Sequence, residues 1–494
     1  MKQIPIPNVL SNMQTGTVRN IYHTGISQLI ILLLSIVMII VLAKILTPAD
    51  FGVVGTGTIF MALFMTVQNF GILQAVVQRD TRIEDSISAG LTIRWLIGGS
   101  IAFTVIIFSP MISDFFGNAA ISPVLIVLSL NLFIPIFGFS SQVLLTRSLD
   151  FYHLALAGIM QSIVTFFFSV GTAMIGFSFW SLVIGTISGS IAYVVALRKF
   201  NNAHFKPKLD MNLMKEIIRF GGHVLITNIM AFVIFNFDQI AIGKMLGLTS
   251  LGIYLIAIKF GRLLGEQIAG TVNRVLFPTM ARIKDNISLL RNGYILSLRM
   301  IAIASVPLSF GLSALSHFFI VLILGPSWIS AVIPLSILAF QGLLNALITP
   351  AGNVLVSIGK PKHMSIPATY QAIAIVVGIY PAVQLYGING ACLWTTFVSL
   401  GVLLYILVVL SKNLGVSIFE VARPMMPALA SGTIMFFFLI LTTQIIPSTI
   451  VTFIAEAIAG LLLYIGFLHL FSKGRDVRDF LSMMKRLKPS YRKQ

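Results

Sequence analysis

Residues 24–44 read TGISQLIILLLSIVMIIVLAK. Apart from Lys44 at its end, this stretch carries no charge, and its apolar residues run on without alternation. At 1.5 Å per residue a helix of this length reaches about 30 Å, the thickness of a bilayer's hydrocarbon layer. A membrane strand would alternate polar and apolar residues instead. Runs of the same kind recur at 53–77, 87–108, 123–145, 154–175, 178–197, 220–242, 251–277, 294–315, 331–357, 364–384, 388–410, 425–445 and 449–471. They are spans 1 to 14 in chain order. The reading is an all-α polytopic membrane protein with about 14 transmembrane helices. Composition agrees, with 57% of the 494 residues hydrophobic and 10% charged; soluble domains carry about a quarter charged residues. His317–Leu324 is apolar but too short to cross, and is expected at the interface. The polar stretch Met1–Tyr22 precedes span 1, and no small-residue cleavage site follows. Span 1 is therefore read as a retained helix.

The net charge is +18. With the N-terminus inside, 26 of the 33 Lys and Arg fall in inner segments, two (Lys44 and Lys244) in outer loops, and five within spans. Short loops rich in Lys and Arg stay cytoplasmic, so both termini are placed in the cytoplasm. The same asymmetry explains the basic balance without nucleic acid. The tail 473–493 either rests on anionic headgroups or is a solvated charge run. The single cysteine, Cys392, excludes a disulfide framework and a cysteine metal site.

Compared with itself at an offset of 200, the sequence shows 14 identical pairs in the 70 positions 19–88. They include Arg19/Arg219, His23/His223, Lys44/Lys244, Gly52/Gly252, Arg82/Arg282 and Asp85/Asp285. The repeat holds six spans, an even number, so both copies enter from one side as parallel repeats. The organisation expected is a six-helix lobe over 1–197, a cytoplasmic linker over 198–219, and a second six-helix lobe over 220–410. Helices 13–14 follow over 411–471, and a basic tail over 472–494. Two like lobes with a seam at mid-membrane are transporter architecture, and alternating access follows as the expected motion.

Leu46-Thr47-Pro48-Ala49-Asp50-Phe51-Gly52 closes the first hairpin, and Asn69-Phe70-Gly71-Ile72 with Ala75-Val76-Val77-Gln78 ends span 2. The second lobe has Asp238, Ile242-Gly243-Lys244, Leu246-Gly247, Leu251-Gly252-Ile253-Tyr254 and Val275-Leu276-Phe277-Pro278. In order and spacing, from about residue 15 to 470, these resemble the polysaccharide transporter family, the Wzx-type flippases. That family lies within the multidrug/oligosaccharidyl-lipid/polysaccharide flippase superfamily, and the likeness is to its colanic-acid-exporter-like branch. The resemblance implies a substrate: an undecaprenyl-diphosphate-linked sugar repeat unit, moved across the bacterial cytoplasmic (inner) membrane. It implies as partners the lipid-linked oligosaccharide, membrane lipids, and polysaccharide polymerase and export machinery. By position, spans 13 and 14 are expected to form a groove for the lipid tail.

Ionisable groups inside spans are costly and usually functional. In span 8, Lys259, Arg262, Glu266, Gly270 and Asn273 step by three or four residues along one helix face. Lys259 and Arg262 are expected to line a wet cavity and pair with diphosphate or acidic sugar. The bland reading is a structural Arg262–Glu266 pair at i,i+4. Asp238 either pairs with Lys259 across the hairpin or takes a coupling cation. Glu266 is the deeper candidate for proton or sodium coupling, although Arg262 beside it favours the charged form. Arg94 in span 3 either lines the cavity or snorkels. Glu456 in span 14 reads as interfacial. At the 200-residue offset the span-8 charges have no counterparts. Gln28, Gln68, Asn69 and Gln74 make the first lobe neutral and polar, so the second lobe is expected to grip the anion and the first to contact sugar.

Neither Gly243-Lys244-Met245 nor Gly359-Lys360-Pro361 continues as a phosphate-binding loop, and no His-Glu-x-x-His motif occurs. The short outer loops hold only Asp114 besides Asp50. The expectation is a transporter without enzyme activity, metal or other cofactor, apart from a coupling proton or sodium ion. The alternatives are a multidrug exporter of the same superfamily, a flippase for the peptidoglycan lipid precursor, or a non-transporting scaffold.

Overall fold

A computed structural model describes residues 15–79, 81–282, 286–360, 362–415, 417–474 and 476. Side chains at 15–24, 220, 223–224, 264, 266, 271–282 and 418 lie outside that description, as does most of the basic tail. Among the described residues, twelve helical stretches are long and apolar enough to cross a membrane. Two of these are double. Leu225–Gly270 is broken at Gly247 (φ 83°, ψ 173°), and Lys362–Leu414 is broken at Tyr386 and Gly387 (φ 58°, ψ −139°). A positive φ of this kind favours glycine. Counting each double stretch twice gives the fourteen crossings read from the sequence. Leu29, Leu33, Phe103, Met111, Phe167 and Leu462 are each more than half exposed, a surface suited to hydrocarbon.

Local chemistry sets where the spans begin and bend. Span 2 starts at Pro48, earlier than hydropathy indicates, because Thr47 and Asp50 form a capping box. The Thr47 N–H donates to Asp50 Oδ2 (2.8 Å) and the Asp50 N–H to Thr47 Oγ1 (3.3 Å), while Pro48 needs no donor at the first turn. Ser178 in the turn between spans 5 and 6 also donates to Asp50. Span 4 is not a single α-helix. Ile121–Leu128 gives way to 3-10 turns at Ser129–Leu132 and Ile134–Gly138 before Phe139–Arg147. Pro135 has no N–H to continue the ladder. His317 and Phe318 fall in a short helix, followed by a π turn over Phe319–Leu324 that ends at Gly325 (φ 111°). This stretch makes no crossing.

The chain packs as two compact units, Met1–Gly252 and Ile253–Gln494. Compactness therefore divides the chain at 252, whereas the expectation from the sequence divides it at 220. In the first unit, the stretch joining spans 6 and 7 is strapped to the loop between spans 2 and 3. Arg82 Nη2 meets Asp210 at 2.8 Å, Lys208 Nζ meets Asp85 at 2.9 Å, and Arg79 pairs with Glu216. Thr92 Oγ1 also donates to the Lys208 carbonyl (2.9 Å). In the second unit, spans 13 and 14 pack on span 9. Gly432 lies against Val306, and the Tyr464 hydroxyl donates to the Ile303 carbonyl at 2.9 Å. Arg299 Nε donates to Asp476 Oδ1 at 2.7 Å, which ties the end of span 14 to the same helix.

Candidate functional site

The 3-10 turn in span 4 has a consequence inside the first unit. Ile136 N–H bonds the Phe133 carbonyl, so the Leu132 carbonyl is left without its helical donor. The Gln68 side chain supplies one, with Nε2 at 2.7 Å from Leu132 O, and Gln68 is only 1% exposed. A bare carbonyl in hydrocarbon costs several kcal/mol, so this glutamine is a structural donor. Gly98 leaves the space: a methyl group there would overlap the Gln68 amide.

Asn69 and Arg94 meet beside Gln68. Arg94 Nη2 donates to Asn69 Oδ1 at 2.7 Å, and its guanidinium carbon stands 4.8 Å from the centre of the Phe139 ring. Arg94 is 6% exposed, and its Nε has no acceptor among the described residues. The helix Pro48–Asn69 ends here, with Gly71 at φ 77° before the restart at Ile72. A cation at a helix C-terminus is electrostatically favoured. Arg94 is thus turned into the protein, holding the break in span 2. Gln28 and Gln74 are exposed and stand apart from this cluster. Asp238 is fully buried, and its Oδ1 accepts the Gln239 N–H at 2.9 Å.

In the second unit, the two cations of span 8 part company. Gly261 and Gly265 let span 8 press against span 10. A methyl on Gly261 would lie 2.8 Å from Leu338 Cβ, and one on Gly265 would overlap the Gly342 carbonyl. Arg262 follows Gly261 into this contact and is 6% exposed. Its Nε donates to Gln341 Oε1 at 2.8 Å, and Gln341 Nε2 reaches Ser399 Oγ at 3.4 Å. Lys259, roughly 60° around the helix from Arg262, is exposed. An exposed ammonium some 12 Å along a span is favoured where water or a polar partner reaches it. Of the three cations expected to meet substrate, Lys259 is the one at the surface, while Arg94 and Arg262 are engaged inside their own units. The side chains of Glu266 and Asn273 lie outside the described residues.

Gln341 and Ser399 carry no signal in the sequence, since neutral polar residues in apolar runs are common. Glu456, read as interfacial, is 4% exposed, and its Oε2 accepts from Thr442 Oγ1 at 2.7 Å. Among the described residues, no group of three His, Cys, Asp or Glu side chains is placed to hold a metal ion.

Comparison with known proteins places this fold. The chain is 26% identical to the teichuronic acid biosynthesis protein TuaB of Bacillus subtilis (strain 168), over 72% of this chain and 73% of that protein. It is 25% identical to the lipopolysaccharide biosynthesis protein WzxC of Escherichia coli (strain K12), over 70% and 71%. It is 23% identical to the succinoglycan biosynthesis transport protein ExoT of Rhizobium meliloti (strain 1021), over 97% of both chains. Among solved structures it resembles the lipid II flippase MurJ in an inward closed conformation. The TM-score is 0.78 at 15% identity, covering 91% of this chain and 98% of that one. An inward-facing multidrug resistance MATE family transporter of the MOP superfamily matches with a TM-score of 0.60 at 16% identity, over 79% and 98%. The family described as polysaccharide biosynthesis protein matches residues 41–334, more than half of the sequence, and the chain belongs to that family.

Proposed function

We propose that this protein is a flippase for a lipid-diphosphate-linked oligosaccharide, working by alternating access in polysaccharide biosynthesis. The observation that carries the reading is Lys259, an exposed cation well inside a membrane span of a fold shared with lipid and drug transporters. An ammonium in a wet intramembrane volume suits a diphosphate or acidic sugar. The excess of cations over acids within spans weighs against an exporter of organic cations. The finer parts of the proposal are an undecaprenyl carrier, the bacterial cytoplasmic membrane with both termini inside, and polymerase and export machinery as partners. Also proposed are two six-helix lobes over 1–197 and 220–410, proton or sodium coupling through Glu266 or Asp238, and no enzyme activity.

The test is deletion of the gene, restoration with wild type or Lys259→Ala, and mass spectrometry of lipid-linked glycans. The expected result is a complete repeat unit accumulating on its diphosphate carrier, cleared by wild type and not by the variant. An unchanged glycan profile in the deletion strain, with no duplicate gene, would overturn the reading.

A further inference from the structure

Spans 11 and 12 border an apolar cleft of 310 Å³ lying wholly within the second unit. Its walls are aromatic: Tyr370 on span 11, and Trp394, Phe397 and Tyr405 on span 12. Gln371 is the only amide in the lining. Trp394 forms the inner end, its ring lying over Gly378 and its Nε1–H donating to the Ala374 carbonyl at 3.0 Å. That bond satisfies the one polar atom of the indole, so its apolar face is what the cleft presents. Tyr370 and Phe397 are 67% and 65% exposed, which leaves the cleft open. Gly401 keeps its floor empty, for a methyl group there would meet nothing within 4 Å.

The charge above the cleft is one-sided. Lys360 and Lys362 lie at the head of span 11 and Lys412 at the foot of span 12, and all three are exposed. Lys360 Nζ donates to Asn413 Oδ1 at 2.6 Å, which draws the two helix ends together. No aspartate or glutamate occurs between Asp285 and Glu420, and Glu420 is engaged by Arg291 at 3.0 Å. Among the described residues, neither Lys362 nor Lys412 has an acidic partner. Pro367 lies about 8 Å and Ala374 about 18 Å along the helix from Lys362. The apolar cleft therefore begins just below a cationic rim and runs inward to near the bilayer midplane.

We propose that this cleft seats the polyprenyl chain of the lipid-linked substrate in the cytoplasmic leaflet, with its phosphate at Lys362 and Lys412. The inference rests on the flippase reading and its orientation. An apolar slot under an uncompensated cationic rim complements an anionic head on a long hydrocarbon tail. A saccharide would need more hydrogen-bond partners than the one amide and two tyrosine hydroxyls of this lining. The site lies on spans 11 and 12, apart from the groove expected on spans 13 and 14.

The experiment uses the full-length protein in nanodiscs, with undecaprenyl monophosphate as the probe and binding read by native mass spectrometry. Gly401→Trp fills the floor and is expected to weaken binding at least tenfold. Lys362→Gln with Lys412→Gln touches only exposed residues and is expected to weaken it several-fold. Either effect, with the elution profile of the wild type retained, supports the proposal. Equal binding by wild type and both variants overturns it while leaving the flippase reading intact. Displacement of the probe by phosphatidylglycerol at matched concentration makes this an ordinary phospholipid seat and also overturns it, as does displacement by a soluble oligosaccharide. No binding to the wild type removes the flippase reading itself.

Discussion

Gly52 and Gly252, identical residues of the two repeats, occupy reciprocal contacts. A methyl group on Gly52 would overlap the carbonyl of Leu248, and one on Gly252 would overlap the carbonyl of Pro48. Positions 48 and 248 are themselves 200 residues apart, the offset at which the sequence matches itself.

Replacing either glycine by alanine forces two backbones apart. Each single variant is expected to lose about 1–3 kcal/mol of stability. Because both act on one contact, the double variant is expected to lose less than the sum of the two. Thermal unfolding of the detergent-solubilised protein measures both. Additive losses would show that the contacts are independent.

Gln68→Leu removes the donor from the Leu132 carbonyl at the break in span 4. The expected cost is about 1–3 kcal/mol, that of a buried acceptor left bare. Gln74→Ala, at an exposed position, is expected to stay within about 0.5 kcal/mol. The contrast in melting temperature between two glutamines six residues apart in sequence separates a structural donor from a surface residue.

Lys259 and Arg262 are predicted to fail in different ways. Lys259→Ala is expected to lower flipping by more than it lowers folded yield. Arg262→Ala leaves Gln341 Oε1 without its Nε donor and is expected to cost about 1–3 kcal/mol, lowering folded yield and flipping together. Fluorescence-detected size exclusion alongside the glycan assay distinguishes the two.

Docking of the linker depends on pH in a definite sense. The backbone N–H of Leu213 and the Arg82 guanidinium hold the Asp210 carboxyl below the ordinary carboxylate range. A depressed carboxyl contributes its full stabilisation above the unfolded value of about 3.9 and loses it as pH falls through the folded value. Hydrogen exchange over 201–219, corrected for intrinsic rates, is expected to quicken as pH drops below about 4. Asp210→Asn is expected to reproduce that state at neutral pH. Unchanged protection in the variant would mean the apolar contacts of Leu213, Met214 and Ile217 hold the linker unaided.

Much of the fold was legible because lipid imposes one strong rule. Backbone groups in hydrocarbon must bond within their own helix, so continuous apolar length translates directly into crossings. All fourteen spans read from hydropathy correspond to helix in the structure. Their ends were less legible where capping, rather than hydropathy, starts the helix, as at Thr47 and Pro48. The site was less legible still. Lys259 and Arg262 look alike in sequence, three residues apart on one face. Only the packing of Gly261 and Gly265 on span 10 turns one inward to Gln341 and leaves the other exposed.

The sequence alone determined the membrane class, the number of crossings and the residues that carry charge into the bilayer. These depend on length, polarity and periodicity, which are properties of single segments. Tertiary structure decided that Gln68 repairs span 4, that Arg94 closes on Asn69 and Phe139, and that Asp476 neutralises Arg299 from 177 residues away. It also decided that Trp394 and Gly401 frame a cleft beneath three lysines. A partner for a buried polar group is found by proximity between distant segments, and proximity is set by packing, which no single segment encodes.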